Sequence, residues 1–109
     1  MTNLFDQNYY SGNSNYQDYK YDNRFLQWAY DIDCYLQPQT VLEVGCAMGY
    51  LVRTLRLLGI DSYGIDISSY AIQNADELAS PYVATANATE CPFQGPFDLI
   101  VAFDVLEHM

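Results

Sequence analysis

The stretch TVLEVGCAMGYLVRTLRLLGIDSYGID, residues 40–66, predicts the fold of this chain. Its pattern indicates a strand, a glycine-bearing turn, a helix and a second strand that ends in a carboxylate. The apolar run around Glu43 is typical of a parallel strand with both faces covered, and Gly59 is well placed to end the helix. Together these elements form the first strand–helix–strand unit of a nucleotide-binding sheet.

The turn at 45–49 and the carboxylate of Asp66 are the candidate binding groups of this unit. The helix after Gly49 begins with backbone N–H groups that lack partners within the helix and therefore suit an anion. Asp66 lies 21 residues after Gly45, at the carboxyl end of the neighbouring strand. Because both border one crevice of a parallel sheet, a ribose diol is expected to bind at Asp66.

An amphipathic helix is predicted over residues 23–36. Asp22 or Asn23 can cap its start, and Pro38 ends it. Trp28 belongs to its apolar stripe and is expected in the core. The stripe consists of Phe25, Trp28, Ala29, Ile32, Tyr35 and Leu36.

The chain after residue 66 predicts one more helix and two more strands. The helix is expected to begin at Ser68 or Ser69 and to run through Leu78. Its inward positions are Ile72, Ala75 and Leu78. Strands are predicted at 82–86 and 97–103. Short loops and right-handed crossovers then favour an α/β sheet of about four parallel strands in the order 3-2-1-4.

The composition indicates one globular domain with an acidic surface. Four basic and 14 acidic residues among 109 give a net charge of −10, which argues against a nucleic acid as partner. The same charge mildly favours a cationic ligand, although acidity also serves solubility alone. The expected division is an arm or lid at 1–22 and the domain proper at 23–109.

Other sequence features predict a cytoplasmic protein without a metal centre. No run of about 18 apolar residues indicates a membrane span, and the N-terminus lacks a signal pattern. Cys34, Cys46 and Cys91 are too far apart for a zinc motif or a disulfide framework. Cys46 is interpreted as a small residue that the turn tolerates.

Residues 1–22 form a polar arm that is rich in tyrosine. It has no sustained helical or strand periodicity. The tyrosines are Tyr9, Tyr10, Tyr16, Tyr19 and Tyr21. They can bury substantial apolar area. The arm is therefore either a lid over the crevice or a leader that packs against the sheet edge, and the sequence leaves both open.

Three motifs make a family resemblance specific. They are EVGCAMG at 43–49, GID at 64–66 and FDLIVAFDVLEHM at 97–109. In this order they resemble the class I S-adenosylmethionine-dependent methyltransferases, especially the small-molecule branch with a D-V-L-E-H sequence. The resemblance covers 41–109, and the family's core domain continues beyond that point. Ala47 departs from it, because the family usually has glycine there.

The glycine pattern argues against a dinucleotide as the cofactor. A dinucleotide fold needs G-x-G-x-x-G, which from Gly45 would require glycine at 47 and 50. This chain has Ala47 and Tyr50 there. The resemblance implies instead S-adenosylmethionine, with S-adenosylhomocysteine (SAH) as the product.

The resemblance also implies a set of cofactor contacts. They are Glu43, Gly45, Cys46, Ala47, Gly49, Asp66, Ile67, Asn87, Ala88 and Phe103. Asn87 matches a position where the family usually has an aspartate that accepts a hydrogen bond from the adenine amino group, and an amide oxygen can do the same. Ala88 matches a position whose backbone N–H reaches an adenine ring nitrogen. Asn87 can alternatively be a turn residue that tolerates left-handed dihedral angles.

Methyl transfer from a sulfonium needs mainly positioning and exclusion of water. A base helps if the acceptor is a hydroxyl, and His108 is the single histidine of the chain. Packing or capping at a helix start is the alternative role for His108. Asp104 leaves the fourth strand under the expected sulfonium and is a second candidate. Tyr9, Tyr10 and Tyr16 are candidate substrate contacts, and the acceptor atom is left open among oxygen, nitrogen and carbon.

Because the family's sheet has more strands than this chain supplies, we expect the N-terminal portion of a longer enzyme. The strand at 97–103 would then be an apolar edge that promotes self-association. The alternative is a non-catalytic binding or assembly module that another chain completes.

Overall fold

A computed structural model describes residues 23–102 of the 109-residue chain. The helices are α1 (Asn23–Asp31), α2 (Tyr50–Leu57) and α3 (Ser69–Gln73), and the strands are β1 (Thr40–Val44), β2 (Asp61–Asp66), β3 (Val83–Thr85) and β4 (Leu99–Val101). A π-helical segment (Ile32–Leu36) extends α1, and short 3-10 helices lie at Ser80–Tyr82 and Ala88–Glu90. The predictions for the arm 1–22 and for residues 103–109 lie outside the described residues.

The four strands form one parallel sheet in the order β3-β2-β1-β4. This arrangement confirms the predicted α/β fold class and strand order. Among the described residues, β3 and β4 are shorter than the apolar patterns there, because only 83–85 and 99–101 pair with a neighbouring strand.

The main core lies between the sheet and the helices α1 and α2. Val41 pairs in register with Ser62 and Leu99, so these three side chains share the face toward the helices. The buried members of the core are Phe25, Ala29, Ile32, Val41, Leu51, Leu55 and Ile60, with Trp28 packed against them. Full burial of a leucine such as those on α2 contributes about 1.5–3 kcal/mol. The placement of Trp28 beside the core confirms its predicted packing role.

Gly59 ends α2 as predicted. Its φ angle of 87° lies in the left-handed region, which glycine adopts without strain. The N–H of Gly59 donates to the carbonyl of Arg56 at 2.9 Å, and the N–H of Ile60 donates to Leu55 at 3.0 Å. These two bonds form a Schellman cap, which satisfies carbonyls at the helix end and turns the chain into β2.

The second half of the first helix differs from the prediction. Residues 32–36 form a π-helical turn, in which Gln37 donates to the carbonyl of Ile32 at 3.0 Å. The wider turn rotates the last side chains away from the apolar stripe. Tyr35 is therefore 81% exposed and Leu36 is also exposed, so their predicted place in the core is wrong.

The helix after β2 is also shorter than predicted. Ser68 caps its start by accepting the N–H of Ala71 at 3.1 Å, as predicted, but α3 ends at Gln73. The Asn74 side chain donates to the carbonyl of Tyr70 at 2.8 Å and so favours a turn at this point. Leu78 consequently lies outside the helix and is exposed, so its predicted inward position is wrong.

The other face of the sheet carries an aromatic cluster. Tyr63 alternates with the helix-facing residues of β2, and its ring centroid lies 4.8 Å from that of Phe93 and 6.1 Å from that of Phe97. The Arg56 guanidinium reaches over the sheet edge to 3.5 Å from the Tyr82 ring centroid. These contacts hold the connection between β3 and β4 against the sheet.

The exposed side chain of β4 permits a test of the predicted self-association. Within residues 23–102, β4 pairs with β1 alone, and Ile100 is 60% exposed on the face opposite the helices. A lysine at this exposed position should therefore cost little stability. We expect Ile100→Lys to lower association as measured by light scattering, because edge lysines oppose strand pairing.

Leu57→Lys is the matched control for Ile100→Lys. Leu57 is 64% exposed on α2, away from the sheet edge. Equal association of the two lysine variants would show that the β4 edge is not the contact.

Candidate functional site

Three parallel strands end side by side at one edge of the sheet. Val44, the last residue of β1, pairs with Ile65, and Asp66, the last residue of β2, pairs with Thr85 at the end of β3. Ligands of open parallel sheets bind outside these carboxyl ends. The loops that follow β1, β2 and β3 therefore border one candidate site.

The turn after β1 has left-handed backbone at three positions. The φ angle is 81° at Gly45, 52° at Ala47 and 80° at Gly49. The N–H groups of Gly45 and Cys46 both donate to the carbonyl of Ile65, at 2.8 and 3.0 Å. The turn is thereby held against the end of β2, and α2 begins at its far side with its first-turn N–H groups directed toward the edge.

Asp66 joins the loops of all three strands. Its Oδ2 accepts the N–H of Ala47 at 2.7 Å, and its Oδ1 accepts the N–H of Ser68 at 2.8 Å. Its backbone carbonyl accepts the N–H of Ala86, after β3, at 3.0 Å. A carboxylate has about four acceptor sites, so sites for a ligand hydroxyl remain besides these bonds.

Burial governs the ionisation of two side chains near the turn. Asp66 is 2% exposed, and burial raises its pKa above the ordinary 3.8 although the Ser68 and Ala47 N–H groups act to lower it. Burial also raises the pKa of the Tyr50 phenol, and the neighbouring Asp76 anion raises it further. Tyr50 is therefore protonated at neutral pH.

Close packing behind the turn requires two glycines. A Cβ at Gly64 would lie 2.6 Å from the Cβ of Cys46, and a Cβ at Gly49 would lie 2.7 Å from the Cβ of Ala79. Cys46 is buried in this space, where its size rather than its thiol chemistry fits the packing.

Asp76, in the loop that follows α3, makes hydrogen bonds that hold the turn in place. Its N–H donates to the carbonyl of Met48 at 2.9 Å, and its carboxylate accepts from Arg53 on α2 at 3.1 Å. The same carboxylate accepts the N–H of Leu78 at 2.9 Å. The turn is thus fixed on one side by β2 and on the other by this loop.

Asn87 lies on the loop that follows β3. Its Oδ1 accepts the N–H of Thr89 at 2.9 Å, and its Nδ2 donates to Oε1 of Glu90 at 2.9 Å. Its backbone is extended, with φ at −98°, so the left-handed turn considered for it does not occur. Asn87 instead caps the 3-10 helix at Ala88–Glu90.

Eight of the predicted cofactor contacts lie at this edge, at the end of β2 or in the segments that follow the strands: Gly45, Cys46, Ala47, Gly49, Asp66, Ile67, Asn87 and Ala88. Ile67 directly follows β2 and is 40% exposed, so it offers an apolar surface beside Asp66. Glu43 is buried within β1, on the same face of the sheet as Val41. Phe103, Asp104 and His108, like Tyr9, Tyr10 and Tyr16, lie outside the part of the chain that the structure describes.

Two residues at the site were missed from the sequence. Glu90 follows Asn87 by three positions, and this N-x-x-E spacing is a capping signal that a closer reading would have found. Asp76 gave no signal, because its partners Met48 and Arg53 are distant in sequence and only the fold brings them near.

Residues 23–102 contain neither a metal-binding cluster nor a membrane-spanning helix. No group of three His, Cys, Asp or Glu side chains within 23–102 is placed to hold a metal ion. None of the helices in this range has the length and apolarity that crossing a bilayer requires.

The left-handed Ala47 leads to a prediction about its replacement. Ala47→Gly relieves backbone strain of about 1–2 kcal/mol, which stabilises the folded state. Two effects oppose this gain: loss of a buried methyl group costs about 0.8 kcal/mol, and the greater conformational entropy of the unfolded chain costs about 0.5–1 kcal/mol. We expect a free energy of unfolding within about 1 kcal/mol of wild type in urea denaturation. Affinity for a ligand at the turn should hold or increase.

Ala79→Gly is the matched control for this substitution. Ala79 is buried like Ala47, but its φ angle is −94°, so no left-handed strain is relieved. We expect Ala79→Gly to lower the free energy of unfolding by about 1–2 kcal/mol. An equal loss in both variants would contradict the strain assigned to Ala47.

Comparison with known families matches residues 24–109 to the family described as "Methyltransferase domain". Similar curated proteins include the ubiquinone biosynthesis O-methyltransferase of Paraburkholderia xenovorans (strain LB400), 30% identical over 91 residues, and that of Paraburkholderia phymatum, 31% identical over 91 residues. Each alignment covers 77% of this chain and 39% of the relative. The chain thus spans about two fifths of the length of these relatives.

Comparison with solved structures finds the plantazolicin methyltransferase BpumL in complex with SAH. The TM-score is 0.54 at 19% sequence identity, over 74% of this chain and 36% of that chain. At this identity the likeness supports the fold of the sheet and its flanking helices.

Proposed function

The chain belongs to the methyltransferase-domain family of class I S-adenosylmethionine-dependent enzymes, and from this membership we propose that it binds S-adenosylmethionine for methyl transfer to a small molecule. The acceptor atom that we propose is oxygen. Support for this choice comes from the relatives named as O-methyltransferases of ubiquinone biosynthesis. The chain spans 39% of their length, so the activity and substrate of the whole protein are part of the proposal.

One observation carries the proposal: Asp66 joins the turn after β1 to the loop after β3. Its carboxylate accepts from Ala47, and its carbonyl accepts from Ala86. The three segments expected to contact the cofactor are therefore held together by direct hydrogen bonds, at the edge where ligands of parallel sheets bind.

The residues of this edge suit the parts of the proposed cofactor. The N–H groups at the start of α2 suit its carboxylate. The remaining acceptor sites of Asp66 suit the ribose hydroxyl groups, and the exposed Ile67 suits one face of the purine ring. The loop at Asn87 and Ala88 is placed for the polar edge of the purine. Glu43, buried in β1, would support the turn from beneath.

When bound, the cofactor supplies a methyl group that positive sulfur has already activated. Transfer of that methyl group to an acceptor hydroxyl would release SAH, and a base would take up the hydroxyl proton. The protein chiefly orients the two reactants and excludes water. Asp104 and His108 stay predictions for this step, and Phe103 stays a predicted cofactor contact. The tyrosine-rich arm as a lid or a leader, the cytoplasmic location, the absence of a nucleic-acid partner and the N-terminal place of this chain in a longer enzyme also stay predictions.

The experiment is transfer of a labelled methyl group from S-adenosylmethionine to matched small acceptors. Catechol and aniline-type compounds of equal size offer oxygen and nitrogen to the same site. We expect label on the oxygen acceptor above that in a reaction without protein. Labelling of the amine alone would contradict the choice of oxygen, and SAH binding without any transfer would favour the alternative of a non-catalytic binding or assembly module.

A further inference from the structure

The side chain of Asn87 makes hydrogen bonds with two neighbouring residues. Its Oδ1 accepts both the backbone N–H and the hydroxyl of Thr89, and its Nδ2 donates to Oε1 of Glu90. All of these groups belong to one short capped turn, Ala88–Glu90, which directly follows β3 at the candidate site.

These partners fix the orientation of the Asn87 amide. The Thr89 N–H is a donor and needs an oxygen, whereas the Glu90 carboxylate is an acceptor and needs an N–H. A flipped amide would place two donors together at Thr89 and two acceptors together at Glu90. The amide oxygen has two acceptor sites, and Thr89 occupies both. While both Thr89 bonds are made, Asn87 has no acceptor site for the amino group of a purine.

Glu90 has the acceptor sites that Asn87 lacks. Its carboxylate offers about four, of which Asn87 uses one, and its side chain is exposed. The bond from Asn87 Nδ2 holds one carboxylate oxygen 2.9 Å from the amide, in the turn that follows β3. The same loop is tied to the ligand edge by the bond from the Ala86 N–H to the Asp66 carbonyl.

We propose that Glu90 accepts the hydrogen bond from the exocyclic amino group of the bound adenine, and that Asn87 is the positioning residue that holds Glu90 for this contact. The inference rests on the proposed cofactor and assigns the recognition of its base to a different side chain. A negative charge then faces the amino group although residue 87 is an uncharged amide. Discrimination between adenine and a purine without the amino group is the property that this contact confers.

The test compares two ligands on the full chain by calorimetry. They are SAH and its 6-deamino analogue, in which hydrogen replaces the amino group. We expect wild type to favour SAH by about tenfold, as for one hydrogen bond to a charged acceptor. In Glu90→Ala the preference should fall to about onefold to twofold, while affinity for the deamino analogue stays within about twofold of wild type. Glu90→Gln should show an intermediate preference, because its amide oxygen still accepts a hydrogen bond but carries no charge.

Glu77→Ala serves as the matched control, because Glu77 is also exposed and its loss changes the net charge equally. It should keep the full preference for SAH. A preference retained in Glu90→Ala but lost in Asn87→Ala would overturn the assignment to Glu90. Failure of wild type to bind either ligand would overturn the proposed cofactor itself, which separates the two outcomes.

Discussion

Gly49→Val is expected to abolish SAH binding and to destabilise the fold by about 2–5 kcal/mol. The φ angle of Gly49 is 80°, in the region that β-branched residues do not tolerate. A Cβ there would also lie 2.7 Å from the Cβ of Ala79 and 3.4 Å from Cγ1 of Val83. Either the start of α2 or the Ala79 loop must move, and both border the candidate site.

The pair Gly49→Ala and Gly59→Ala separates backbone strain from the clash. Both glycines have left-handed φ angles, 80° and 87°, but a Cβ at Gly59 would meet no atom within 4 Å. We expect Gly59→Ala to lower the free energy of unfolding, measured by urea denaturation, by about 1–2 kcal/mol. Gly49→Ala should lower it clearly more, because the clash adds to the strain. If the two alanine variants are equally stable, the packing argument fails. If Gly49→Val binds SAH normally, the turn has a structural role only.

Asp66→Ala should be the second most damaging change. It leaves the N–H groups of Ala47 and Ser68 buried without an acceptor, at about 1–3 kcal/mol each. We expect a loss of about 2–6 kcal/mol in the free energy of unfolding and weaker SAH binding. Removal of the 2′-hydroxyl from SAH should weaken its binding to wild type but should not weaken its binding to the variant. Equal calorimetric affinity of wild type and variant for SAH would contradict the ribose contact.

Asp66→Asn removes the ionisation of the same residue. Its NH2 group would also face the Ala47 or the Ser68 N–H, but that loss does not change with pH, so the pH dependence of the difference reports the ionisation. Because burial raises the pKa of Asp66 in the folded state, its contribution to stability is complete below pH 3.8 and is lost as pH rises through the folded-state pKa. The stability of wild type relative to Asp66→Asn should therefore fall as pH rises from 3.8 toward neutrality. A difference that grows with pH would show that the two N–H donors outweigh the burial.

The sequence predicted the central unit well because each of its signals is local. The apolar run of β1, the leucine spacing of α2 and Gly59 act through their own backbone, and the structure places all of them as expected. The strand order followed from general rules of chain connection, which need no side-chain detail.

The failures arise where hydrogen bonds that an apolar pattern does not indicate override that pattern. Tyr35 fits a helical stripe, but the π-helical turn before it changes the angle at which it leaves the helix. The apolar Leu78 extends the pattern of α3, but Asn74 has already ended that helix. At the candidate site, the sequence pointed to Asp66 and Asn87 as binding groups. It did not indicate that backbone N–H groups occupy part of their acceptor capacity.

Mapping amide chemical shifts during titration with SAH tests the central claim most directly. The claim is that an adenosyl cofactor binds at the carboxyl edge of this sheet. We expect shifts at 45–49, 66–68 and 86–90, and none at Gln39, Asp61 and Asp98, which lie at the opposite edge. Absence of shifts, or shifts that cluster at the opposite edge, would contradict the account.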